Sequence, residues 1–151
     1  MYKMRNNAIF VLITVTLFYF AIFFSCDKNP ADDDSDSTAQ ITGSLILPAD
    51  ATGKPFIVAV DDNFDADDGF TKVKAGTCVE GLNQEYTIAN VPSGAYYIYA
   101  VVWVVAAAYA TPESGDYVGY YGTNGTIPNE PNAVVPKSGT KQFDITLVIL
   151  P

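Results

Sequence analysis

At 151 residues, with 17 acidic against eight basic side chains and a net charge of −9, the chain has room for one domain and repels nucleic-acid phosphates. It contains no histidine, which removes Ser-His-Asp and Cys-His catalysis, histidine-ligated metals and the commonest general base near neutral pH. Its two cysteines, Cys26 and Cys78, permit at most one disulfide.

Residues 1–7 carry Lys3 and Arg5 and no acid, residues 8–24 are apolar or weakly polar, and Ser25-Cys26 follows. This is the charged, apolar and small-residue layout of an export signal. The ending Phe23-Phe24-Ser25-Cys26 resembles the lipobox of bacterial lipoproteins, with phenylalanine at two positions where that family usually has leucine and a small residue. The resemblance implies that residues 1–25 are a signal peptide cut before Cys26, whose thiol carries lipid and whose acyl chains hold the protein on a membrane. An uncleaved anchor remains an alternative, since residues 8–24 lie at the lower end of the roughly 17–25 needed to span a bilayer. So does a Cys26–Cys78 disulfide. Each places most of the chain outside the cytoplasm. Removing Lys3 and Arg5 leaves six basic against 17 acidic residues, a net charge of −11.

Residues 26–40 read as the lipidated cysteine and an acidic flexible tether, with Asp32, Asp33, Asp34 and Asp36 clustered and nothing to bury against the entropy of ordering. Acids just after a lipidated cysteine resemble signals that send bacterial lipoproteins to the outer surface, whereas Asp27 directly after it resembles inner-membrane retention. The expected location is the cell envelope, on the outer membrane rather than the inner one.

From Ile41 to Pro151 the pattern is all-β: a Greek-key β-sandwich of about seven strands. Residues 41–47 and 56–60 are short β-rich runs, 85–89 alternates loosely, 96–105 is long and apolar, and 142–150 sets Phe143, Ile145, Leu147 and Ile149 on one face. Turn signals separate them at Pro48-Ala49-Asp50, Gly53-Lys54-Pro55, Pro92-Ser93-Gly94, Gly122-Thr123-Asn124-Gly125 and Lys137-Ser138-Gly139. Lone Cys78, between Thr77 and Val79, reads as a small buried strand residue with no basic group to stabilise a thiolate.

Between the second and third runs, Asp61, Asn63, Asp65 and Asp67 alternate and Gly69 follows. Alternate carboxylates on a curled loop can supply several of the oxygens that Ca²⁺ needs. Ala66 and Lys72, however, stand where calcium loops have glycine and glutamate. A solvated hairpin loop explains the same residues.

The stretch from Tyr86 through Pro92-Ser93-Gly94 to Ala100 resembles carboxypeptidase regulatory-like and transthyretin-like domains. There a strand enters a Pro-x-Gly turn and leaves through an alternating strand with tyrosine just past the corner. The resemblance covers most of residues 41–151 and implies a β-sandwich that carries, stabilises or binds, with Tyr96 in the core and its hydroxyl on a turn backbone group. Alternation from that corner points Tyr96, Ile98, Ala100, Val102 and Val104 inward and Tyr97, Tyr99, Val101, Trp103 and Val105 outward. An apolar outer face is either covered, here by residues 116–122, or a contact surface. The expected function is therefore non-catalytic: an envelope lipoprotein whose sandwich binds or supports a partner, protein or polysaccharide, at the membrane surface. The alternative is a carbohydrate-binding module for a surface polysaccharide, with Trp103, Tyr117, Tyr120 and Tyr121 stacking on sugar rings.

Overall fold

The computed structural model of the chain describes residues 37–64 and 69–151. Among these residues there is no helix, so none crosses a membrane as one, and the ten strands lie in two sheets, as the all-β pattern predicts. Cys26 and the rest of the leader and tether before Ser37 lie outside the described residues, as do Asp65 and Asp67.

The first sheet is built on β1 (Thr38–Ile46), which pairs antiparallel with β4 (Asn83–Pro92) and parallel with β8 (Thr140–Gln142) and β9 (Ile145–Thr146). The second runs in the order β10 (Val148–Ile149), β6 (Tyr117–Tyr120), β5 (Gly94–Val102), β2 (Pro55–Asp61) and β3 (Lys72–Thr77), with β7 (Ala133–Val135) pairing the start of β5. β1 begins ahead of the expected Ile41, because Thr38 and Ala39 pair with Pro92 and Val91 and Ala39 is buried. The first strand thus takes residues from the end of the expected tether.

Period-two alternation fills the space between the sheets. Ile41 and Leu45 of β1, Tyr86, Ile88 and Val91 of β4, and Phe143 and Ile145 meet Phe56, Val58 and Val60 of β2, Tyr96, Ile98, Ala100 and Val102 of β5, and Tyr117 of β6. Cys78 is a free thiol buried in the same core, where desolvation, then the Asp50 charge, pushes it up from the ordinary thiol value. The Pro92-Ser93-Gly94 corner carries the chain directly from the first sheet to the second. Ahead of it, a bulge opposite Ala39 and Ile41 accommodates Asn90 at a φ of 57°, a left-handed conformation that asparagine tolerates.

Two side chains fasten what the ladders leave open. Buried Gln84 bonds both the N–H and the C=O of Val79, so its amide closes the crossing from β3 to β4. Tyr86 lies across Gly43, its ladder partner, and donates its hydroxyl to the Phe143 carbonyl (2.5 Å). A Cβ at Gly43 would strike that carbonyl and the Tyr86 ring. The C-terminal run departs from its expected single face. Phe143, Ile145 and Leu147 are buried, but the chain then leaves β1 and joins β6, so Ile149 is exposed.

Candidate functional site

The outer face of the second sheet is apolar along two cross-strand rows. One row runs Ala75, Ile57, Val101, Val118, Val148; the next runs Val73, Ala59, Tyr99, Tyr120. The expected facing of 96–105 holds at each strand position, since Tyr96, Ile98, Ala100 and Val102 belong to the main core and Val101 and Trp103 to a separate outer cluster with Val118. The covering segment is not the expected 116–122, most of which is itself strand β6. The cover is the connection from Trp103 to Asp116, folded back over the sheet. The Trp103 indole N–H donates to the Ala110 carbonyl (2.8 Å) and Tyr109 packs on its ring (centroids 5.1 Å apart), leaving Trp103 only 4% exposed.

Asp116 holds this connection in place. It is fully buried; its Oδ1 accepts the N–H groups of Val104 (2.8 Å), Val105 (2.7 Å) and Ala106 (3.2 Å), and its Oδ2 that of Glu113 (2.9 Å). Burial opposes the charge, but the donors from Glu113, Val105, Ala106 and Val104 outweigh it and hold the carboxyl below the usual aspartate value.

Between this folded connection and edge strand β3 lies an open groove of about 440 Å³. Ile57, Tyr99, Val101 and Trp103 form its floor, with Tyr109, Ala110 and Pro112 on one side and Phe70, Val73 and Ala75 on the other. Phe70 and Val73 are about half exposed, at 49% and 50%. At its end, Phe64 packs on Tyr97, Tyr99 and Tyr120 with centroids 4.2, 5.6 and 6.1 Å apart. Burial first, then Asp61 and Tyr120, raises the Tyr99 phenol to about 12; burial likewise raises that of Tyr120. No lining residue carries a carboxylate, thiol or amine, so the groove's chemistry is the burial of apolar and aromatic surface from a ligand.

The sequence-derived sugar platform is dispersed. Trp103 is covered, Tyr117 faces the main core, Tyr120 joins the outer aromatic cluster, and Tyr121 stands edge-on to Phe143 (4.9 Å) on the core side. Of the proposed calcium set, Asp61 is buried at the end of β2 and accepts the Asn63 N–H (3.3 Å), while Asn63 also bonds Asp62. No group of three or more acidic, cysteine or histidine side chains suited to a metal forms among the described residues. Phe64, Phe70 and Tyr109 were not anticipated. Their signal was present as single aromatics in otherwise polar or small-residue loops. No protein-family model, curated protein or solved structure matches the chain.

Proposed function

We propose that this protein is a non-catalytic, envelope-anchored binding module that presents the outer face of its second sheet to a protein segment bearing aliphatic or aromatic side chains. The observation that carries the reading is the groove between Tyr109 and Val73, open to solvent yet lined by apolar and aromatic side chains. Such a contiguous patch on a small acidic domain is where a partner lowers free energy by removing apolar area from water, at about 25 cal/mol per Å². A polysaccharide fits less well here, because the phenols of Tyr99 and Tyr109 are the main side-chain groups in the lining that could replace the water its hydroxyls lose. The lipobox-like Phe23-Phe24-Ser25-Cys26 supports the anchor, and the acidic residues after it support a spacer that lifts the sandwich from the bilayer.

The test is peptide selection on the full-length protein in lipid nanodiscs. Selected peptides are expected to be rich in aliphatic and aromatic residues, and a photoreactive analogue should label residues 70–75 or 109–112. Labelling confined to the first sheet, or selection of purely polar peptides, would refute the reading.

A further inference from the structure

A second cleft, of about 430 Å³ and open to solvent like the groove, shares no lining residue with it and differs from it in chemistry. Tyr121, Asn132, Val134, Pro136, Lys141 and Phe143 line it. Val134 of β7 and Lys141 of β8 bring together two strands from different sheets, over a floor made by buried Phe143. Tyr121 is fixed edge-on against Phe143. Asn132 is fixed as well, its Nδ2 donating to the Tyr121 carbonyl (2.8 Å), which leaves its Oδ1 as an acceptor. Lys141 supplies an ammonium, and no acid is among the lining residues. In a chain with eight basic and 17 acidic side chains, an exposed ammonium at the rim of a cleft, beside a half-buried aromatic ring and a hydrogen-bonded amide, is complementary to an anion.

We propose that this pocket binds the carboxylate-bearing ring of an acidic saccharide. Tyr121 receives an apolar C–H face of the sugar, Lys141 pairs with its carboxylate, and the Asn132 amide accepts from a hydroxyl. The volume falls within the roughly 300–1,000 Å³ of small-ligand sites, and a charge-assisted bond to Lys141 supplies the discrimination that ring contact alone lacks. This site does not depend on the apolar groove.

Calorimetric titration of the full-length protein in nanodiscs with trigalacturonate, and with its methyl ester, tests the proposal. The ester has nearly the same shape without the charge. Trigalacturonate should bind, the ester about tenfold more weakly, and Lys141→Gln should reduce trigalacturonate binding to the level of the ester, a difference of about 1.4 kcal/mol. Lys141 is exposed, so the variant should melt with the parent protein. Phe70→Ser, in the groove, should leave trigalacturonate binding unchanged. Equal binding of acid and ester, indifference to Lys141→Gln, or no binding at millimolar sugar would overturn the proposal.

Discussion

A single phenol shows how tightly the two ends of the domain are joined. Tyr86 covers Gly43 and bonds the Phe143 carbonyl, so one side chain links β4, β1 and the C-terminal segment. Tyr86→Phe leaves that buried carbonyl without its donor and should cost about 1–3 kcal/mol in chemical denaturation. Sequence reading assigned a backbone-bonded hydroxyl to Tyr96 by resemblance. Tyr96 is indeed buried, but the tyrosine that the fold ties to this carbonyl is Tyr86. The reason is long-range: Phe143 approaches β1 only after β8 has paired parallel with it, which no local pattern announces. At the outer face, Tyr99 has a folded pKa raised to about 12 against about 10 unfolded, so its contribution to stability is complete below pH 10 and is lost as pH rises toward 12. Phenolate absorbance should therefore show a late-titrating tyrosine. Removing the Phe64 ring in Phe64→Ala should bring that titration down toward 10, and an unchanged titration would mean that Phe64 does not shield Tyr99.

The connection from Trp103 to Asp116 is the element on which the groove depends. Its four N–H donors converge on one buried carboxylate, while Tyr109, at a φ of 65°, turns its ring onto Trp103. Asp116→Ala leaves those donors without their acceptor and should cost about 3 kcal/mol or more, with Trp103 fluorescence reporting exposure. A carboxyl held below its ordinary value contributes stability that is full above the unfolded value of about 3.9 and is lost as pH falls through the lower folded one. Asp116→Asn should therefore flatten the acid limb of a stability–pH curve below about pH 4, and an acid limb identical to the parent would show that Asp116 is not the group titrating there. Alternation along 96–105 was legible because β5 is buried on its inner face throughout and covered on part of its outer one. β6 and β7 were not, because strands of four and three residues leave too short a period to read. β3, with Lys72 and Lys74 on an edge strand, lacks an apolar inner face of its own; such lysines discourage pairing with another sheet.

For the whole molecule, the two-sheet all-β architecture follows from short β-rich runs and Pro/Gly turns, and those features are visible in the chain. How the C-terminal run divides between the sheets is not, because the apolar residues from Phe143 to Ile149 alternate evenly in sequence although the pairing partner changes from β1 to β6 and exposes Ile149. The candidate site was half legible: Tyr99, Val101 and Trp103 were placed outward, while the walls come from loops whose positions depend on Asp116 and on β3. If Cys26 carries the anchor, Cys26→Ser should abolish incorporation of labelled fatty acid and leave uncut precursor; continued labelling would refute the anchor. The claim that unites these scales is that Phe70 and Val73 serve a partner and not the core. The most direct measurement is made on the Phe70→Ser/Val73→Ser double variant, comparing its urea unfolding with its affinity for a groove-selected peptide. Exposed positions predict stability within about 0.5 kcal/mol per site and a loss of peptide affinity of at least about tenfold. A variant that unfolds much more easily, or that binds the peptide as the parent does, would contradict it.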